Sequence, residues 1–234
     1  MYKLNRFFIF CTTWLYRIVG EFLLGSIPTL RKAADAGSPI RIKEGLHWDV
    51  INANGVRCEW IGQPNAPSDA VLLYLHGGGG VLGLSNTHRK MVGYLSWACN
   101  LRSLIPDYRL APENPFPAGL NDCLATFGWL LSQGFNPNRI VIAGDSVGGH
   151  LTLSCLLAIH DAGLPLPAAA VCISPNTDPA CNGKSMKTNA RRDASLSPKF
   201  AQTMMRHYIN NHDLDDPHLS PLRADLRGLP PILI

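Results

Sequence analysis

The sequence has little charge and no long run of charge of one sign. Asp, Glu, Lys and Arg make up 16% of its 234 residues, whereas 46% are hydrophobic. This balance is typical of a folded globular domain with a sizeable core and argues against a disordered chain. The net charge is +4, but basic residues occur at most in pairs such as Arg191-Arg192. We therefore expect no nucleic-acid partner.

Cysteine pairs at metal-binding spacing are also missing. No two cysteines form a C-x-x-C motif, so neither a zinc site nor a disulfide framework is predicted, and we expect no metal and no cofactor. Their odd number favours reduced thiols in a cytoplasmic protein. The seven cysteines are Cys11, Cys58, Cys99, Cys123, Cys155, Cys172 and Cys181.

A hydrophobic run long enough to cross a bilayer is absent as well. The uncharged stretch 7–16 is followed by Arg17 and Glu21, and no convincing small-x-small cleavage site comes after it. Apolar residues at helical spacing over 4–22 predict a helix with one apolar face. Two interpretations remain open: the helix packs over the rest of the domain, or it lies on a membrane through residues 1–25.

The sequence does contain a regular alternation of strand and helix patterns. Such alternation predicts an α/β protein with a mostly parallel central sheet. The polar stretch 182–221 interrupts it and contains one helical piece, 198–209. Strands are predicted at 71–75, 101–106, 139–143 and 168–173, and helices at 87–100, 119–132 and 146–160.

The chain is organised around residues 140–149, where a short apolar strand turns abruptly into a helix. Ser146 lies in this corner between Gly144 and Gly148, with Asp145 before it and Val147 after it. A Gly-x-Ser-x-Gly motif between a strand and a helix is typical of a nucleophile elbow, in which the serine hydroxyl projects from a strained turn. The flanking glycines are expected because a Cβ there would clash with the neighbouring strand or helix.

A second glycine motif follows the strand predicted at 71–75. His76 and Gly77 are followed there by Gly78, Gly79 and Gly80. A glycine run exposes backbone N–H groups, which are suited to stabilise the negative oxygen that forms when a serine attacks an ester. A flexible turn is the alternative, while a phosphate-binding loop is disfavoured because no Gly-Lys-Ser/Thr ends the run.

These motifs resemble the hormone-sensitive-lipase-like branch of the α/β-hydrolases, a group of esterases with a His-Gly-Gly-Gly motif. The resemblance runs from about residue 40 to the end and includes a highly specific block at 107–118. Its stretches are 76–79, 107–118 and 144–149, together with the shorter landmarks at 174–175, 219–222 and 228–231.

The resemblance implies a hydrolase core at 41–234 and a helical cap formed by residues 1–40 and 182–218. It implies cleavage of short or medium acyl esters, or lactones, through an acyl-serine intermediate. Ser146 is then the nucleophile, and the oxyanion hole consists of Gly78, Gly79 and Val147. His76, Gly77, Gly144, Asp145 and Gly148 support these motifs.

Two departures from the family pattern are small. Gly80 stands where the family usually has an aromatic residue, which is expected to remove a wall near the substrate. Val147 stands where alanine is usual, which adds bulk beside the oxyanion hole but keeps the N–H group.

A third departure concerns the base that a serine nucleophile requires. In α/β-hydrolases an acid and then a histidine follow the serine, and in this family both come after the landmark at 228–231. Only residues 232–234 follow it here. The resemblance therefore implies a truncated chain without the triad acid, the triad histidine and the last strands and helix. We expect such a chain to be poorly soluble and nearly inactive on p-nitrophenyl esters.

No histidine within the sequence is a convincing base. His150 comes one helical turn after Ser146, but its side chain is expected to lie along the helix. His88 and His160 are interpreted as surface or helix-end residues. Histidines 207, 212 and 218 lie near Asp213, Asp215 and Asp216, where a solvated loop is favoured over a metal site. A serine ester hydrolase is the leading hypothesis, and the alternative is a non-catalytic hydrolase-like protein that binds an apolar small molecule or a partner.

Overall fold

The computed structural model describes residues 17–18, 20, 26–36, 44–67 and 69–234. Most of the helix predicted over 4–22 lies outside these residues, so its two interpretations stay predictions. None of the helices in these ranges is long and apolar enough to cross a membrane.

Strands and helices alternate along most of the described chain. The strands are β1 (His47–Ala53), β2 (Val56–Gly62), β3 (Val71–Leu75), β4 (Arg102–Pro106), β5 (Ile140–Asp145), β6 (Ala169–Ile173) and β7 (Ile232–Leu233). The helices are α1 (Ile27–Ala36), α2 (Asn86–Cys99), α3 (Ala118–Ser132), α4 (Val147–Asp161), α5 (Lys184–Thr188) and α6 (Pro198–Ile209). Short 3₁₀ turns occupy Pro137–Arg139 and Pro221–Arg223.

The strands form one sheet in the order β1-β2-β4-β3-β5-β6-β7. β2 is antiparallel to both β1 and β4, whereas the pairs from β4 through β7 are all parallel. The β1–β2 hairpin turns at Asn54 and Gly55, whose positive φ angles of 51° and 91° fit a two-residue turn. The predicted fold class, an α/β-hydrolase fold with a mostly parallel sheet, is confirmed.

The central strand β3 is buried on both faces of the sheet. All five of its residues are buried, and successive side chains of a strand point to opposite faces. Val71, Leu73 and Leu75 belong to a core cluster that includes residues of α3 and α4. Leu72 and Tyr74 belong to a second cluster that includes Val92 of α2. Layers of helices on both faces therefore hold β3 and β5 at the centre, where the serine motif begins.

Two helices near the site, α4 and α6, begin within one residue of their predicted starts. The Ser197 hydroxyl accepts a hydrogen bond from the Phe200 N–H and caps α6, whose first residue is a proline. Twelve of the fifteen residues of α4 are buried, so this helix packs against the sheet and neighbouring helices rather than against water. The six cysteines in the described ranges are all free thiols.

Candidate active site

Ser146 occupies the corner between β5 and α4 in a backbone conformation that L-residues rarely adopt. Its φ and ψ angles are 55° and −118°, a region that costs about 1–3 kcal/mol for a residue with a side chain. The Ser146 N–H donates to the carbonyl of Ile173 at 2.9 Å, and the Ser146 carbonyl accepts from the Asn176 N–H at 3.1 Å. The two bonds tie the corner to the segment after β6 and hold the strained conformation, with the serine half-buried.

The glycines beside Ser146 are required by close backbone contacts. A Cβ on Gly148 would overlap the Leu75 carbonyl oxygen and lie 2.7 Å from that of His76. A Cβ on Gly144 would overlap the backbone of Gly148 and lie 2.6 Å from the Leu75 oxygen. The helix therefore starts directly against the end of β3, which brings Ser146 next to the glycine loop at 76–80.

The glycine loop presents backbone donors beside the serine. Gly78 and Gly79 have φ angles of 122° and 65° and are half-exposed. The loop is closed by hydrogen bonds from the Val81 and Leu82 N–H groups to the Gly78 carbonyl, at 3.1 and 2.8 Å. No group in the described ranges accepts a hydrogen bond from the N–H of Gly78, Gly79 or Val147. These three donors are thus available to an incoming oxyanion.

Asp145 joins the serine corner to the glycine loop. Its Oδ1 accepts hydrogen bonds from the Gly77 N–H and the Tyr74 hydroxyl, both at 2.9 Å. Its Oδ2 lies 3.7 Å from the Nε2 of His88. Burial alone would raise the pKa of Asp145, but His88, Tyr74 and the Gly77 N–H favour the charged form and lower it. Asp145 is therefore a structural carboxylate whose ionised form fixes the start of the loop.

His76 is a buried, neutral part of the glycine loop. Its Nδ1 lies 2.8 Å from the Gly77 carbonyl, so the proton is on Nδ1. Its ring stacks on that of Tyr108 at 4.2 Å, and the Tyr108 hydroxyl donates to the His76 carbonyl at 2.6 Å. Burial, with a smaller contribution from His88, lowers the pKa of His76 to about 3. A side chain with this pKa and these contacts shapes the loop, as the resemblance implied.

The 107–118 block is the support of the glycine loop. Besides the Tyr108 contacts, the Ala111 N–H donates to the Gly80 carbonyl at 2.8 Å. Arg109 forms an ion pair with Asp122 of α3 at 2.8 Å, which anchors the block to the helix layer. The specificity of this motif thus has a physical reason, since its residues hold the backbone of the loop.

His150 does not face Ser146 as a base would. Its Nδ1 lies 3.0 Å from the Asn176 carbonyl, and its Nε2 lies 3.5 Å from the Ser154 hydroxyl. Burial lowers the pKa of His150 to about 4, although the bond to Asn176 opposes this shift. Among the residues that the structure describes, no histidine forms a hydrogen bond with the Ser146 hydroxyl.

His218 and His212 contact groups other than Ser146. His218 lies 3.1 Å from Asp161 and 3.3 Å from Asp216, and the Nδ1 of His212 lies 3.1 Å from the Ile209 carbonyl. No group of three or more His, Cys, Asp and Glu side chains suited to a metal occurs in the described part of the chain. His88 lies in the first turn of α2, in keeping with its interpretation as a surface or helix-end residue. Its bonds with the Ser85 cap turn the half-buried ring toward Asp145.

Helix α6, which lies within the cap predicted at 182–218, packs on the glycine loop through contacts that the sequence alone did not reveal. A Cβ on Gly79 would lie 3.0 Å from the Cβ of Met204. A Cβ on Gly80 would overlap the ring of Tyr208. The missing side chain of Gly80 therefore does not leave an open wall, because a tyrosine from α6 occupies the space beside it.

A serine at a strained strand-to-helix corner, beside backbone N–H groups without an acceptor in the described ranges, is typical of α/β hydrolases. The α/β-hydrolase-fold family matches residues 72–234, and the chain belongs to this family. The resemblance drawn from the sequence is thereby confirmed at the level of family and fold.

Known proteins similar to the chain include esterases of the hormone-sensitive lipase group. The protein named acetyl-hydrolase of Streptomyces hygroscopicus is 42% identical over 186 residues, which cover 80% of this chain and 62% of that protein. The chain thus spans about three fifths of the length of the first curated relatives it matches.

Two crystal structures show the same likeness in three dimensions. An esterase from the bacterial hormone-sensitive lipase family has a TM-score of 0.84 and 41% identity, over 88% of this chain and 70% of that chain. The esterase EstE5, soaked by p-nitrophenyl butyrate, has a TM-score of 0.83 and 38% identity, over 92% of this chain and 75% of that chain.

Proposed function

We propose that the protein is a carboxylic-ester hydrolase in which Ser146 is the nucleophile. The proposal rests on one observation: Ser146 is strained and half-buried, and it lies beside three backbone N–H groups that have no acceptor in the described ranges. Strain of this kind persists only where the surrounding structure holds it, and it occurs preferentially at functional sites.

Each group of the site has a role in this reaction. The Ser146 oxygen attacks the carbonyl carbon of the ester, and the carbonyl oxygen becomes negatively charged. The N–H groups of Gly78, Gly79 and Val147 stabilise that oxygen. The base takes the proton of Ser146 and gives it to the departing alcohol, while an acyl group remains on the serine oxygen. Water then releases the acyl group as the carboxylic acid and restores the serine hydroxyl. The substrate is a small ester with a short or medium acyl chain, or a lactone.

The base and its acid partner lie, in this proposal, outside residues 1–234. Among the described histidines, His76 and His150 are buried and neutral, with each Nδ1 bound to a backbone carbonyl. The incomplete span of the acetyl-hydrolase relative supports the same view, because more than a third of that protein has no counterpart here.

A cap over the site consists of residues 1–40 and 182–218. Support comes from α6, whose Met204 and Tyr208 lie on the glycine loop. Further support comes from α1, in which Arg31 donates to the Val81 and Ala111 carbonyls at 2.8 Å each. A cytoplasmic location completes the proposal, and the segment 1–25 has two interpretations, packing over the domain or contact with a membrane.

The test compares ester hydrolysis by the product of the whole reading frame with hydrolysis by residues 1–234. We expect the whole product to cleave p-nitrophenyl acetate or butyrate, and residues 1–234 alone to be nearly inactive. Ser146→Ala is expected to lower kcat by at least about a thousandfold. Ser154→Ala is the matched control, because it removes another serine hydroxyl close to Ser146 in sequence, a buried one in the second turn of α4.

Three outcomes would contradict the proposal. Turnover that survives Ser146→Ala would show that Ser146 is not the nucleophile. Robust Ser146-dependent turnover by residues 1–234 alone would show that the base lies within these residues. A whole product without turnover, and without labelling by a fluorophosphonate, favours the non-catalytic binding protein.

A further inference from the structure

Two side chains of α6 lie directly on the loop that carries the oxyanion donors. The ring of Tyr208 is so close to Gly80 that a Cβ there would lie 3.1 Å from the ring's Cε2 and closer still to Cδ2. One turn earlier on the helix, Met204 packs in the same way on Gly79. Both side chains are buried, with exposed fractions of 3% and 2%. The contact surface between α6 and the loop is therefore dry and tightly packed.

The Tyr208 ring is fixed from several sides. Its own backbone carbonyl accepts a hydrogen bond from the Phe116 N–H at 2.9 Å. The Phe116 ring meets it edge-on at 6.1 Å, and the His150 ring of α4 meets it edge-on at 5.5 Å. Tyr208 thus fits between the glycine loop and the helix that begins at the serine, with little freedom to move.

The Tyr208 hydroxyl contributes no hydrogen bond to this arrangement. It is buried and has no partner among the residues that the structure describes. A buried hydroxyl without a partner costs about 1–3 kcal/mol. The interaction with the loop is therefore made by the ring, and the ring alone explains the close approach to Gly80.

The Gly80 peptide is held between two supports. The Ala111 N–H binds its carbonyl at 2.8 Å, and the Tyr208 ring packs on its Cα. Gly79, one residue earlier, carries one of the proposed oxyanion donors. An oxyanion donor acts only when its hydrogen points at the developing charge, and a misplacement of about 1 Å can cost a hundredfold in rate.

We propose that Tyr208 is a positioning residue that holds the backbone at Gly80, and through it the neighbouring Gly79 with its N–H donor, in the orientation needed for catalysis. The proposal rests on the proposed ester hydrolysis. Gly80 has no side chain that could pack on its neighbours, and the Tyr208 ring from α6 supplies this packing instead.

The test compares three variants of the product of the whole reading frame. Tyr208→Leu removes the ring, Tyr208→Phe keeps it and removes the unpartnered hydroxyl, and Phe200→Leu is the matched control. Phe200 is an aromatic residue of the same helix that packs against Gly20 instead of the loop. The measurements are kcat and KM for p-nitrophenyl butyrate, and hydrogen–deuterium exchange of the peptide covering 76–82.

Tyr208→Leu is expected to lower kcat about tenfold to a hundredfold with KM within about threefold of the wild type, since the donors act mainly in the transition state. Exchange in 76–82 is expected to be faster than in Phe200→Leu. Tyr208→Phe should restore both values. A merely structural role would instead lower stability in both leucine variants and leave the kcat of folded enzyme unchanged.

The proposal is overturned if Tyr208→Leu keeps wild-type kcat while Ser146→Ala abolishes turnover, in which case the ester hydrolase stands without this role. If no Ser146-dependent turnover exists, the proposed function fails instead, and Tyr208 is judged by exchange alone. Unchanged exchange in 76–82 then overturns its role. Should Tyr208→Leu not fold, Tyr208→Met takes its place in the same comparisons.

Discussion

The two buried, neutral histidines of the site predict a loss of stability in mild acid. Burial lowers the pKa of His150 to about 4 and that of His76 to about 3, from 6.5 in the unfolded chain. As the pH falls below 6.5, the unfolded chain therefore takes up these protons before the folded protein does. The stability that depends on these two neutral histidines is fully present above pH 6.5. It declines as the pH falls toward the pKa values of the folded state.

The magnitude follows from the two shifts. Between pH 8 and pH 5, each histidine is expected to reduce the free energy of unfolding by about 2 kcal/mol, and both together by about 4 kcal/mol. Such a loss is a large fraction of the roughly 5–15 kcal/mol that stabilises an ordinary domain.

The assay is urea unfolding at pH 8 and pH 5 for the wild type, His150→Gln and Thr152→Val. His150→Gln is expected to halve the difference between the two pH values to about 2 kcal/mol. Thr152 is the control because it is buried on the same helix and does not titrate; its hydroxyl binds the Gly148 carbonyl at 2.9 Å. Thr152→Val should lower stability equally at both pH values.

Two results would refute this reasoning. If His150→Gln shows the same pH dependence as the wild type, His150 is not the buried neutral group that its bond to Asn176 and its burial indicate. A wild-type protein as stable at pH 5 as at pH 8 would refute the account of both histidines.

Two further predictions concern the elbow and the amino terminus. Gly148→Ala is expected to destabilise the protein by at least about 4 kcal/mol or to prevent folding, because its Cβ would overlap the Leu75 carbonyl oxygen. Gly128 of α3 is the control, because there is open space where its Cβ would lie. Gly128→Ala should therefore stabilise the protein by about 0.5–1 kcal/mol. Thermal unfolding of both variants checks the pair, and a folded, equally stable Gly148→Ala would be inconsistent with the close approach. Deletion of residues 1–25 distinguishes the two interpretations of the amino-terminal helix. A shift from the membrane fraction to the soluble fraction of a cell lysate supports membrane contact, whereas unchanged partitioning supports packing over the domain.

Local patterns were enough to predict the centre of the fold. The apolar run of β3 and the strand-turn-helix around Ser146 each depend on neighbours in sequence. The glycines beside Ser146 were predictable for the same reason, since a strained serine corner requires small neighbours whatever packs around it.

Contacts between distant segments were not predictable in this way. Tyr208 lies on Gly80 because α6 packs over the loop, and nothing in either segment alone indicates the other. His88 was expected at the surface or at a helix end and lies in the first turn of α2, but its bonds with Ser85, which turn the ring toward Asp145, were not predictable. Such placements depend on how helices pack on the sheet, which hydrophobic periodicity does not specify.

The central claim is that Ser146 is a nucleophile, and covalent labelling tests it most directly. The product of the whole reading frame is treated with a fluorophosphonate, digested and mapped by mass spectrometry, with and without prior addition of p-nitrophenyl butyrate. We predict one phosphonyl group on the peptide that contains Ser146, slower labelling in the presence of the ester, and no label in Ser146→Ala. A label on another residue, or an unlabelled Ser146 in folded protein, would contradict the claim.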